Sequence, residues 1–177
     1  NRRFVAIAAP REHAKTTAVT HAYLLTCLLY REHDFAVIVS DTEGQAAQFL
    51  AGIKADIHEN RVLQEMFGVS LVQKDSEPEF VVKFNDGHKF KVMARGSEQK
   101  LRGMIWRNKR PNLVIVDDAE NDEIVMNQDR RDKFRRWVMR AMIPMGAAKK
   151  CKFRWVGTVL HFDSMLERLL TGNPKNN

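Results

Sequence analysis

The sequence predicts an α/β domain with a mainly parallel central sheet flanked by helices. Apolar runs of strand length recur at Phe4–Ala9, Phe35–Val39, Asn112–Val116 and Lys152–Val159. Segments of helical periodicity stand between them. The Phe35 and Asn112 runs are continuous rather than alternating, the pattern of strands covered on both faces, and parallel strands need such helical crossovers.

The elements follow in chain order. Thr16–Arg31 has a helical stripe of Val19, Ala22, Tyr23, Thr26 and Leu29. Phe35–Val39 is a buried strand, and Ser40-Asp41-Thr42 after it is an N-cap signal opening a long helix from Glu43 to about Phe67. Phe80–Phe84, the turn Asn85-Asp86-Gly87 and Lys89–Met93 predict a β-hairpin inserted in the fold, because Asp-Gly between alternating residues favours a tight primed turn. Gly96–Arg110 is a basic connector containing Leu101-Arg102-Gly103. After the Asn112 strand, Asn127–Ala141 reads as an amphipathic helix: Phe134, Trp137, Val138 and Ala141 share a stripe, with Arg130, Arg131, Arg135 and Arg136 away from it. Lys152–Val159 is the last strand and Ser164–Leu170 the last helix. Thr171–Asn177 is a polar tail, and both ends read as cut points in something longer.

With 177 residues, the chain is long enough for one domain with a real core. No apolar run approaches the ~20 residues of a membrane span, and no secretory signal opens the sequence. The only two cysteines, Cys27 and Cys151, have no metal-ligand spacing and fit a reducing compartment. Charge is uneven: Arg95–Arg154 holds 16 Lys and Arg against 8 Asp and Glu, more than the whole excess of +7. Such a patch suits a polyanion, with charge kept only for solubility as the plainer alternative.

Two segments carry chemistry. Phe4–Ala9 runs into a loop ending Lys15-Thr16-Thr17 at the start of a helix. In a P-loop, backbone N–H groups and the helix N-terminus cradle phosphates; the lysine adds charge on the β- and γ-phosphates, and the hydroxyl binds Mg²⁺. Lys15 and Thr16 fit these roles, with Pro10, Arg11, Glu12, His13, Ala14 and Thr17 as the rest of the cradle. Ala9 and Ala14 stand at the two glycine positions, which costs little only where φ stays negative. In Asn112–Glu120 a strand ends on Asp117 and Asp118. Asp117 is placed to hold Mg²⁺ and Asp118 to act as general base, with Glu120 as its rival. The carboxyl ends of parallel strands gather ligands at one edge, so these residues and Thr158 are expected to converge there. His13 and His161 lack metal-ligand companions, and Trp106, Trp137 and Trp155 read as packing residues.

APREHAKTT, then Leu101-Arg102-Gly103, then RPNLVIVDDAENDE and VGTVLHFDSML, resemble in order and spacing the ATPase domain of the large terminase subunit of tailed bacteriophages. The resemblance spans nearly the whole chain. It implies a RecA/ASCE-like P-loop NTPase in one domain over 1–177, an Mg²⁺-dependent ATPase that drives double-stranded viral DNA into a procapsid. The portal protein and the small terminase subunit would be partners, in a homo-oligomeric ring in the host-cell cytoplasm. It matches Arg11 to the P-loop arginine, Lys15 and Thr16 to the Walker A lysine and hydroxyl, Asp117 to the Walker B aspartate, and Gly157-Thr158 to the coupling motif. The family has glutamate where this chain has Asp118, so the base stays open between Asp118 and Glu120. The family's adenine-contacting glutamine segment has no counterpart before Phe4, and its nuclease domain has none after the last helix. An arginine donated between subunits would stabilise charge on the transferring phosphoryl group; Arg102 is the first candidate, with Arg107 and Arg110 behind it. A DEAD-like helicase half and a degenerate P-loop module that binds without hydrolysing are the alternatives.

Overall fold

A computed structural model describes residues 2–172; the rest of the predicted polar tail lies outside them. Its strands are β1 (Phe4–Ala8), β2 (Phe35–Ser40), β3 (Val69–Ser76), β4 (Glu79–Phe84), β5 (Lys89–Gly96), β6 (Leu113–Asp117) and β7 (Lys152–Gly157). They form one sheet in the order β1-β7-β6-β2-β5-β4-β3. The first five in that order run parallel, and β4 and β3 extend the sheet antiparallel. The hairpin predicted at 80–93 forms, and its second strand joins the parallel core by pairing with β2.

A π-helical stretch, Thr16–Tyr23, runs into α1 (Leu24–Leu29). α2 (Glu43–Glu59) and α3 (Arg61–Phe67) follow β2. After β6 come α4 (Asp122–Met126), α5 (Gln128–Trp137), a second π-helical stretch Val138–Met142, and α6 (Ile143–Met145). α7 (Met165–Thr171) follows β7. Among the described residues, no helix is long and apolar enough to cross a membrane.

Every residue of β2 and β6 is buried, as their unbroken apolar runs require. Alternate side chains feed two cores. Ala36, Ile38 and Ile115 pack with Leu24, Leu28, Leu50 and Ile53 on one face. Val37, Val39, Val114 and Val116 pack with Phe134, Val138 and Trp155 on the other. Each buried Val, Leu, Ile or Phe among them contributes roughly 1.5–3 kcal/mol, so the sheet centre is the rigid platform on which the strand ends are held.

Three features were not read from the sequence. The helix predicted over 43–67 breaks at Asn60, which is extended (φ −95°, ψ 91°) and caps α3 by accepting from the Leu63 amide at 3.0 Å. β3 has no period-2 pattern because register shifts interrupt it twice, leaving Leu71 53% exposed. The arginines of α5 are not all solvated: Arg131 is buried, and Arg131 and Arg135 turn onto Asp163, at 3.1 and 2.6 Å.

Candidate active site

The register Ala8↔Gly157, Asp117↔Val156 and Val39↔Val116 brings the carboxyl ends of β1, β7, β6 and β2 to one edge. A cleft of about 430 Å³ opens there, lined by Arg11, Glu12, Lys15, Asp118, Glu120 and Thr158 from the predicted set. Asp41, Gln45, Asn121, Asp122 and Leu160 complete the wall.

Lys15 is almost fully buried, with Nζ 3.3 Å from Asp118 Oδ2. Asp117 is fully buried, and takes the Thr16 hydroxyl on Oδ1 at 3.2 Å and the Thr20 hydroxyl on Oδ2. Thr16 and Thr20 lie four residues apart on one helical face, which is why both reach the same carboxylate. Burial raises the Asp117 pKa, and the two hydroxyls oppose that shift. An all-oxygen set of Thr16 and Asp117 beside a lysine fits Mg²⁺, which prefers oxygen ligands.

Asp118 sits at φ +43°. Its amide donates to Val156 O, and its Oδ1 accepts the Thr158 amide at 3.1 Å. The Thr158 hydroxyl donates to Ala9 O, and the Ala9 amide donates to Gly157 O. The loop after β1, the acidic strand end and the end of β7 are therefore stitched together. A Cβ at Gly157 would stand 3.2 Å from both Asp118 Oδ1 and a Leu166 methyl, so only glycine fits without displacing one of them.

Glu120 is occupied differently. Its two oxygens accept the Met165 and Leu166 amides at 2.7 and 3.0 Å, satisfying orphan donors at the start of α7. Burial raises its pKa, with those amides opposing.

The loop itself is strained. Glu12 at φ +66° and Ala14 at φ +48° adopt the left-handed region. The expectation that alanine costs little rests on a negative φ, which Ala14 does not have. His13 points its Nδ1 at Arg11 O rather than into the cleft, while Pro10 and Thr17 are exposed. His161 accepts the Asp163 amide. Trp155 packs in the core, the Trp137 indole donates to Gln99 O, and Trp106 makes an edge contact with Phe35. Arg102 lies outside the cleft and gives Nε and Nη2 to Arg140 O; Arg110 donates to Pro144 O, and Arg107 lies over the Trp106 ring.

Thr20, Asp41, Gln45 and Asn121 are site residues that sequence reasoning missed. Thr20 had a usable signal in its i+4 spacing from Thr16. Asp41 had one in its place at the end of a parallel strand, where Asn121 donates to it at 2.9 Å.

No family model and no curated protein matches the sequence. Two solved structures of the Thermus phage P74-26 large terminase ATPase domain, one an arginine-to-alanine mutant, match with a TM-score of 0.64 at 15% identity. They cover 88% of this chain, which spans 59% of theirs. The fold is that of a large terminase ATPase domain. The likeness shows the fold, and the cleft falls at the carboxyl ends of its parallel strands.

Proposed function

We propose that this chain is an ATP-hydrolysing motor domain of the large-terminase kind, coupling ATP hydrolysis to the movement of double-stranded DNA into a procapsid. The observation that carries the reading is the joining of Lys15, Thr16, Asp117, Asp118 and Thr158 at one sheet edge by direct contacts. In assembly the domain would work as a ring on the portal, with the small terminase subunit as a further partner.

Thr16 and Asp117 would hold Mg²⁺, which neutralises phosphate charge when bound. Lys15 leaves Asp118 for the incoming β- and γ-phosphates and Arg11 approaches the γ-phosphate. Breaking the Lys15–Asp118 pair frees Oδ2 while the Thr158 amide still holds Oδ1. Asp118 Oδ2 then takes a proton from water as the water oxygen bonds to the γ-phosphorus. The bond to the β–γ bridging oxygen breaks, and ADP and phosphate leave. Glu120 is a positioning residue, since both its oxygens are spent on α7. Thr158 passes the change in charge at Asp118 to the loop before α7.

Lys15→Ala should lower ATP turnover by about 10²–10³-fold with the fold retained, as loss of one charge-stabilising group does. Asp118→Asn should bind nucleotide normally and lose about 10²–10⁴-fold in turnover, the range of general base catalysis. Glu120→Gln should instead lower stability by about 1–3 kcal/mol, because one buried amide loses its charged acceptor. Wild-type turnover in both Lys15→Ala and Asp118→Asn would take hydrolysis away from this cleft, and nucleotide binding without turnover in the wild-type chain would leave a non-hydrolysing P-loop module, the reading that the alanine-substituted, strained loop favours.

A further inference from the structure

At the opposite end of β2, away from the cleft, Cys27, Glu32 and His33 bring one ligand atom each within 4.8 Å of one another. We propose that they form a zinc site.

The local fold builds the cluster. α1 ends in a Schellman motif: Arg31 is left-handed at φ +57°, its amide donates to Leu28 O, and the Glu32 amide donates to Cys27 O at 3.0 Å. That pairing sets residue 32 against residue 27, where the motif ordinarily carries an apolar contact. Here it carries a thiol and a carboxylate, with Sγ 3.7 Å from Oε2.

His33 is the second observation. It is only 5% exposed, yet its buried Nε2 has no hydrogen-bond partner. An orphaned buried polar atom carries a desolvation cost, and a metal removes it.

A thiolate, an imidazole and a carboxylate are the donors zinc takes, with water completing a tetrahedron. Bond lengths of ~2.0–2.3 Å put ligand atoms roughly 3.3–3.8 Å apart. The cluster therefore closes with a shift of about an ångström, which the exposed Glu32 can supply. Zn²⁺ would displace the thiol proton and replace the Lys152 ammonium, now 3.9 Å from Glu32 Oε2, as that carboxylate's cation. The spacing Cys-x₄-Glu-His is not one that motif reading recognises, and so the sequence passes it over.

The whole chain, stripped with chelator, should take up one equivalent of ZnCl₂ by calorimetry. Its melting temperature should rise by roughly 5–10 °C at a hundredfold excess over Kd. Co²⁺ in place of Zn²⁺ should show a thiolate charge-transfer band. That band should vanish in Cys27→Ser, with Cys151 still present as the internal control. Glu32→Gln changes an exposed side chain and leaves folding intact; it should weaken zinc by at least about tenfold, the loss that even outer-shell changes cause. No uptake, uptake without the thiolate band, or equal affinity in Glu32→Gln would each overturn the site. ATP turnover is not the readout, so failure here leaves the ATPase reading untouched.

Discussion

Ala14 holds a left-handed backbone, φ +48°, at the position where a P-loop ordinarily places glycine. That conformation costs a Cβ-bearing residue about 1–2 kcal/mol, and glycine gives part of it back through the entropy of the unfolded chain. Ala14→Gly should therefore stabilise the protein by roughly 0.5–1 kcal/mol, read from the midpoint of denaturant unfolding. A loss of that size would mean that neighbouring contacts, not the amide conformation, hold the loop. Lys15, Asp117, Asp118 and Thr158 were legible in the sequence because each is set by type and by position after a strand. Thr20 offered only its spacing from Thr16, and Asn121 offered no signal, since their roles arise from meetings across the chain: the Thr20 hydroxyl reaches a carboxylate 97 positions away. The contacts of Glu120 were hidden for the same reason. Its acidity marks it as a rival base, and only the nearness of α7 shows what its oxygens touch.

Among elements, the buried strands and the hairpin were written in unbroken or alternating apolar runs, whereas β3 was hidden by its interrupted register and exposed residues. A cluster of charges helps to hold the segment joining β7 to α7. Asp163 receives Arg131 and Arg135 from α5 and Arg168 from α7, at 3.1, 2.6 and 2.6 Å. Burial alone would raise its pKa, but the hydrogen bonds from Arg135 and Arg168, with Arg131, hold it down to about 2. A carboxylate depressed in the folded state gives stability that is present above its unfolded pKa, ~3.9, and is lost as pH falls toward 2. Asp163→Asn should then cost about 1–3 kcal/mol near neutrality, and the gap to wild type should close between about pH 4 and pH 2. Unfolding curves across that window are the check. A gap of equal size at both ends would assign the loss to packing, not to the ion cluster.

For the molecule as a whole, pairing decides which of the basic residues can meet a polyanion. Arg95, Arg130 and Lys133 are held by Glu43, Glu123 and Glu98. Lys100, Arg102, Arg136, Arg140, Lys149 and Lys150 are exposed and make no ion pair among the described residues. The connector before β6 lies along the end of the α5–α6 stretch, through Arg102 on Arg140 O, Arg110 on Pro144 O and the Ala147 amide on Pro111 O. The unpaired cations of that connector and of residues 136–150 thus belong to one side of the sheet, the side packed with Phe134 and Val138. If duplex DNA is the polyanion, binding should release counterions, and log affinity should fall linearly with log salt at a slope of ~0.9 per phosphate neutralised. Replacing Lys149 and Lys150 together with alanine should weaken binding for all sequences alike and flatten that slope by about 2. Lys133→Ala should leave the slope unchanged, because Glu98 already holds that ammonium at 2.6 Å. Titrations of a random duplex over a salt series measure all three chains. Equal slopes in all three would place the DNA contact on another face.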